Sequence, residues 1–215
     1  MMITHEERDL IQRLFPTLSQ HQREQLEALP SLYEDWNTKI NVISRKDIDN
    51  VFSHHILHSL VIGRFTSFVP GTEIFDVGTG GGLPGIPLAI LFPECHFTLI
   101  DSVGKKVRVA EEIGSAIGLT NVSYLHSRAE ELHERCHFIV SRAALRATDL
   151  VQIGQRLINK KEQLNPLPNG IITLKGGDLS EELRPFRKIA SIEEISAYLP
   201  DMEYYEEKKL IFFPA

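Results

Sequence analysis

The chain has 215 residues, 42% apolar and 24% charged, a composition typical of a globular protein that can bury its own core. Its two cysteines, Cys95 and Cys136, stand far apart, which argues against a disulfide scaffold and a zinc ribbon, and no apolar segment resembles a leader or a membrane span. The net charge of −6 argues mildly against a general nucleic-acid binder, but it leaves room for a local basic surface.

The first part of the chain has the pattern of amphipathic helices. Thr4 and Glu7 fit a capping box ahead of a first helix, and Ser19 with Gln22 could cap a second. Pro30 interrupts the second pattern and should kink or split that helix. A third helix is expected to start near Asp47.

After Pro70-Gly71 the pattern changes to short apolar runs that alternate with helical segments. We therefore predict a helical extension over residues 1–70 and a Rossmann-like α/β domain over residues 71–215, with a mostly parallel sheet and helices on both faces. All parallel strands of such a sheet end at one edge, where ligands bind. The predicted strands are Glu73–Val77, His96–Ile100, Val122–Leu125, Phe138–Ser141, Ile171–Leu174 and Leu210–Phe213, and two predicted helices are Lys105–Ile117 and Thr148–Ile158.

A glycine-rich turn follows the first predicted strand and precedes a helix-like run. Gly78, Gly80 and Gly82 allow the backbone to turn tightly and to approach a ligand closely. Their G-x-G-x-G spacing differs from the G-x-G-x-x-G of dinucleotide-binding turns. Asp76 stands just before them, and a carboxylate there suits the positive charges of S-adenosylmethionine better than a pyrophosphate. We therefore predict S-adenosylmethionine at this turn, with Asp76 in an acidic rim.

Three further side chains stand at the ends of predicted strands. Asp101 ends the second strand, where an acid can accept hydrogen bonds from a ribose. That role would suit S-adenosylmethionine or NAD alike, and the alternative is a cap for the following helix. Glu130 follows the third strand, at the expected adenine edge, or serves only as a first-turn helix acid. Arg142 ends the fourth strand, and we expect a functional role for it.

These runs together resemble the RsmG family, also called GidB, the ribosomal RNA small subunit methyltransferases G. The resemblance covers nearly the whole chain, and its most specific parts are Gly82-Leu83-Pro84-Gly85-Ile86-Pro87 and Ser141-Arg142-Ala143. It implies a class I S-adenosylmethionine-dependent methyltransferase. Family contacts to the cofactor would fall on Gly78, Leu83, Ala129 with Glu130, and Arg142.

The resemblance also implies a substrate, N7 of guanine 527 (standard numbering) in the 16S rRNA of the small ribosomal subunit. That nitrogen has an in-plane lone pair and no proton, so we expect no general base and only a positioning role for Arg142. The chain departs from the family at His58, where an Asp is usual, and at Pro30.

The remaining expectations concern partners. We expect a cytoplasmic monomer that acts on 16S rRNA without a metal or a membrane. Basic residues in both parts of the chain could contact RNA phosphates, although each is more often an ordinary solvated charge. Those near the expected binding edge are Lys105, Lys106, Arg108, Arg142, Arg146 and Lys175, and those in the extension are Arg45, Lys46, His54, His55 and Arg64. Alternatives are a methyltransferase for a small molecule or another RNA, and a non-enzymatic RNA-binding or assembly protein.

Overall fold

The computed structural model describes residues 3–142 and 145–215, which form a seven-stranded sheet with helices on both faces. The predicted α/β fold is confirmed. Each of the six predicted strands is present within one or two residues of its predicted bounds. The strands are β1 Glu73–Val77, β2 His96–Asp101, β3 Val122–His126, β4 Phe138–Arg142, β5 Gly170–Gly176, β6 Ser191–Glu194 and β7 Lys208–Pro214.

The strand order is β3-β2-β1-β4-β5-β7-β6. Strands β1 to β5 are mutually parallel, whereas β7 pairs antiparallel with both β5 and β6. The chain leaves β1 toward β2 on one side and later returns to β4 on the other side. This switch opens a crevice beyond the carboxyl ends of β1 and β4, the usual ligand position in open α/β sheets.

The helices predicted at Lys105–Ile117 and Thr148–Ile158 begin and end within one residue of those positions. Thr4 and Ser19 each form a capping box, with Glu7 and Gln22 respectively, as the sequence indicated. None of the helices among the described residues is long and apolar enough to cross a membrane. The α-helices are α1 His5–Leu14, α2 Gln20–Lys39, α3 Leu57–Leu60, α4 Ile62–Phe65, α5 Gly85–Leu91, α6 Gly104–Ala116 and α7 Ala147–Leu157.

Alternate residues of each central strand pack against opposite layers of helices. In β1, Ile74 packs in the layer that contains α2, α5 and α6, while Phe75 and Val77 face the layer that contains α7. This period of two is what a sheet with both faces covered requires. The helices of the N-terminal segment therefore share one continuous core with the sheet.

Two polar contacts fix α2 against the rest of the molecule. The hydroxyl of Tyr33 donates to the carbonyl of Gly81 at 3.0 Å, and Nε2 of Gln25 donates to the carbonyl of Ile117 at 2.8 Å. Both side chains are buried. Helix α2 consequently lies directly behind the glycine-rich turn.

Three local predictions need correction. Pro30 does not split α2, which runs unbroken through it because the side chain is buried in the core and packing outweighs one lost backbone hydrogen bond. The predicted third helix is instead a short 3-10 turn, Ile48–Asn50, a π-helical segment, Val51–Ile56, and then α3 and α4. Strand β6 was not predicted, since its exposed edge position lacks the apolar run of a central strand.

Candidate functional site

A cleft of about 490 Å³ lies at the carboxyl ends of β1 to β4, within the usual size range of small-ligand pockets. Its walls come from five separate parts of the chain, which the parallel sheet brings together. It is lined by Val42, Val77, Gly78, Thr79, Gly80, Gly81, Leu83, Ile100, Asp101, Ser102, Val103, Lys106, Ser127, Arg128, Ala129, Glu130, Arg142 and Leu145.

The glycine-rich turn forms the floor of this cleft. Gly78, Gly80 and Gly82 have φ angles of 73°, 57° and 101°, values that favour glycine. Gly78 and Gly80 line the cleft. Gly82 does not, because it packs against α5, and a Cβ there would overlap the side chain of Ile86. The prediction that all three glycines face the cofactor therefore needs correction at Gly82, which shapes the turn from behind.

Asp76 also lies behind the turn. Its side chain is fully buried, and its Oδ2 accepts hydrogen bonds from Thr79 Oγ1 at 2.6 Å and from the backbone N–H of Gly85 at 2.7 Å. Asp76 is not among the residues that line the cleft. The predicted acidic rim therefore does not include this carboxylate, which instead holds both ends of the turn together.

The environment of Asp76 makes stability depend on pH. Burial raises the pKa of Asp76 to about 7, although hydrogen bonds from Thr79 and Gly85 act in the other direction. The pKa in the folded state then exceeds that in the unfolded chain, so the folded state binds the extra proton. Stability should fall as the pH rises from about 4 to about 7, by at most about 1.4 kcal/mol per pH unit, and level off above.

Asp76→Asn tests this expectation. The variant cannot ionise but retains an oxygen that can accept from Gly85. Its free energy of unfolding relative to the wild type should increase between pH 5 and pH 7, as measured by urea denaturation. Asp76→Ala, which leaves the buried Gly85 N–H without its acceptor, should be less stable by about 1–3 kcal/mol. A difference between the Asn variant and the wild type that stays constant with pH would contradict a raised pKa.

Asp101 lies in the cleft wall at the end of β2, where the sequence predicted it. Its Oδ2 accepts from the backbone N–H of Gly80 at 2.9 Å, and its Oδ1 accepts from the N–H of Val103 at 2.8 Å. The residue at the N-cap of α6 is Val103, so Asp101 does not cap that helix. Because a carboxylate oxygen can accept more than one hydrogen bond, Asp101 can still accept from a diol.

Leu83, Ala129 and Glu130 also lie in the cleft wall. Leu83 and Ala129 are buried apolar residues of that wall, whereas Glu130 is exposed in the middle of a short 3-10 turn, Ala129–Glu131. Apolar side chains together with a polar one suit an aromatic base. The structure thus brings together seven of the nine predicted cofactor residues, all except Asp76 and Gly82.

Arg142 lines the cleft at the end of β4. Its Nη1 lies 2.8 Å from Nδ1 of His55, and burial lowers the pKa of its guanidinium. The neighbouring Ala143 of the Ser-Arg-Ala motif lies outside the described residues. The cation of Arg142 therefore sits at the cleft with a partner from the N-terminal segment.

Sequence reasoning missed the contribution of the N-terminal segment to this site. Val42 enters the cleft wall next to Gly81, where a Cβ on the glycine would lie 2.9 Å from the Val42 side chain. No local pattern marks Val42, because its role comes from packing between distant segments. Of the basic residues considered for RNA, Lys175 is buried and pairs with Glu182 at 2.8 Å, whereas Lys106 lines the cleft.

The polar groups of the cleft indicate which ligands fit. In dinucleotide-binding turns the amides at the start of the helix bind a pyrophosphate. Here the Gly85 N–H at the start of α5 already donates to Asp76 and cannot donate to a phosphate. Charged side chains of both signs line the cleft, the acids Asp101 and Glu130 and the cations Lys106, Arg128 and Arg142. The occupied amide argues against a pyrophosphate at the turn, and the two acids can accept hydrogen bonds from a nucleoside.

Comparison with known proteins agrees with this geometry. Residues 22–204 match the family described as rRNA small subunit methyltransferase G (GidB). The chain belongs to the GidB family. A relative from Porphyromonas gingivalis, named ribosomal RNA small subunit methyltransferase G, is 52% identical over 96% of this chain and 93% of its own length. The resemblance read from the sequence is thereby confirmed, and the chain is a methyltransferase.

Two solved structures have a fold similar to that of this chain. A SAM-dependent methyltransferase from Aquifex aeolicus superposes with a TM-score of 0.53 at 14% identity, covering 86% of this chain and 97% of its own. Fibrillarin from Aeropyrum pernix, solved with natively bound S-adenosyl-L-methionine, gives a TM-score of 0.52 at 9% identity over 73% of each chain. At these identities the likeness shows the fold of this GidB member and nothing finer.

Proposed function

We propose that this protein binds S-adenosylmethionine in the cleft and transfers its methyl group to N7 of guanine 527 in 16S rRNA. The observation that carries the cofactor assignment is the hydrogen bond between Asp76 and the Gly85 N–H, since it removes the phosphate-binding amide from the turn. The fold and the family support the same cofactor.

Each proposed contact uses a different wall of the cleft. The carboxylate of Asp101 accepts from the ribose hydroxyls, and the apolar side chains of Leu83 and Ala129 contact the adenine, with Glu130 near its polar edge. Gly78 and Gly80 leave room for the methionine part because they have no side chain. When bound, S-adenosylmethionine supplies an electrophilic methyl group on a sulfonium.

The protein's contribution to the reaction is alignment. Guanine N7 needs no deprotonation, so the site must hold the nucleophile in line with the methyl group and exclude water. Arg142, which lines the cleft, is the positioning residue for this step. A preorganised polar wall also stabilises the transfer of positive charge to the purine.

The substrate proposal rests on the family and on the charge at the mouth of the cleft. Relatives of about 50% identity are named ribosomal RNA small subunit methyltransferase G. Lys106 and Arg128 line the cleft, and cations there can contact RNA phosphates. We also propose that the enzyme acts in the cytoplasm as a monomer, without a metal.

Labelled S-adenosylmethionine and small ribosomal subunits that lack the modification provide the direct test. We expect one methyl group per subunit, mapped to N7 of guanine 527. A matched sample of subunits that already carry the modification should accept none. Transfer to another nucleotide would overturn the substrate, whereas binding of subunits without transfer would favour an RNA-binding or assembly protein.

A further inference from the structure

A series of hydrogen bonds leads from the N-terminal segment to the guanidinium of Arg142. Nη1 of Arg142 lies 2.8 Å from Nδ1 of His55, and Nε2 of His55 lies 2.6 Å from Oδ2 of Asp47. The other oxygen of Asp47 lies 2.6 Å from Nδ1 of His54. The proposed function uses only Arg142, so Asp47 and His55 have no role in it so far.

The protons in this series follow from the chemistry of its members. A guanidinium can only donate, so Nδ1 of His55 must accept and therefore carries no proton. Nε2 then carries the ring proton and donates to Asp47. Burial, together with the charge of Arg142, lowers the pKa of His55 to about 4, which agrees with a neutral ring.

Asp47 is suited to hold this tautomer. Although burial acts to raise it, hydrogen bonds from His54 and His55 keep the pKa of Asp47 below its ordinary value. The carboxylate therefore remains ionised and accepts from both rings. Its negative charge is one imidazole away from the positive charge of Arg142.

The local backbone explains how two adjacent histidines reach one carboxylate. His54 and His55 lie in the π-helical segment Val51–Ile56, whose wider turn differs from that of an α-helix. The ring of His54 also stacks on Tyr204, with 3.6 Å between centroids and 6° between planes. Because His54 also contacts Asp47, this stacking fixes the carboxylate from a second side.

We propose that Asp47 and His55 are positioning residues, which fix the guanidinium of Arg142 at the cleft by holding His55 as the neutral tautomer with its proton on Nε2. The proposal rests on the proposed function, because it assigns a role to Arg142 in methyl transfer. It adds two residues of the N-terminal segment, Asp47 and His55, to the site formed by the sheet.

The first test reads the tautomer directly. In the full-length protein with ¹⁵N-labelled histidine, the ring nitrogens of His55 should show a protonated Nε2 and an unprotonated Nδ1 at pH 7. The assignment uses the loss of that signal in His55→Gln. A proton on Nδ1, or a doubly protonated ring, would overturn the proposal whether or not the protein methylates rRNA.

The second test separates the two hydrogen bonds of His55 by matched substitutions. In His55→Asn the side-chain oxygen can occupy the position of Nδ1 and accept from Arg142. In His55→Gln the longer side chain can place its N–H at the position of Nε2 and donate to Asp47, which leaves no acceptor at the position of Nδ1. We expect kcat to fall about tenfold or more in the Gln variant, with KM for small subunits unchanged. The Asn variant should stay within about threefold of the wild type.

The outcomes distinguish the two proposals. Equal losses of kcat in both variants would show that His55 has only a structural role and would overturn the inference. Losses of activity that follow the losses of melting temperature in the two variants would do the same. Failure of the wild type to methylate small subunits would instead overturn the proposed function. In that case the tautomer measurement still shows whether His55 accepts from Arg142 and donates to Asp47.

Discussion

Gly78→Val is expected to abolish S-adenosylmethionine binding, with an affinity loss of at least about 100-fold. Gly78 has a φ of 73°, which a β-branched residue adopts only with strain, and it forms part of the cleft floor. A valine there would either twist the turn or place two methyl groups where we propose that the methionine part lies. Isothermal titration calorimetry would measure the affinity, and unchanged affinity would show that the ligand does not approach this turn.

Gly118→Val is a control for backbone strain alone. Gly118 has a similar φ of 70°, follows α6 outside the cleft, and has no neighbouring atom within 4 Å of a Cβ. Its valine variant should lose melting temperature but keep its affinity for S-adenosylmethionine. If both variants lost affinity equally, the cause would be general destabilisation.

Arg142→Ala should lower kcat/KM for methyl transfer about 100-fold, because the guanidinium lines the cleft and, in the proposed function, positions the reacting groups. Its melting temperature should change little. Burial lowers the pKa of Arg142, so the protein environment disfavours its charge. Parallel activity and thermal-melting assays would compare the two effects.

Arg135→Ala is the matched control, because Arg135 precedes the same strand at its opposite end and is exposed. It should retain full transfer activity. Arg142→Lys should recover only part of the activity, since lysine lacks the planar fork of donors. Activity and melting temperature that fall together in Arg142→Ala would remove this residue from the site.

Much of the fold could be read from the sequence because the signals are local. Strands β1, β2 and β4 are short apolar runs between turn residues, and the caps at Thr4 and Ser19 need only neighbouring side chains. The rule that parallel strands end at one edge then placed Asp101 and Arg142 in the same cleft. Family membership was predictable for the same reason, since its motifs are contiguous.

The parts that could not be predicted depend on contacts between distant segments. Asp76 faces the protein and not a ligand because the backbone of Gly85 approaches it closely. A Cβ on Gly85 would lie 2.7 Å from Oδ2 of Asp76. Likewise, His55 gains its role from Arg142, which is 87 residues away in the chain. Pro30 was misjudged because propensity describes an isolated helix, whereas α2 is held by a core on which its buried face packs.

The hydroxyl of Tyr33 makes the cleft depend on a helix that lies outside the sheet. It supports the carbonyl of Gly81 from a helix that precedes the first strand, and the pKa of this tyrosine is raised by burial. A shortened protein that began at the first strand would therefore bare that carbonyl and the apolar wall around it to water. A fusion protein that uses the sheet and its cleft must therefore also include the helices of the N-terminal segment.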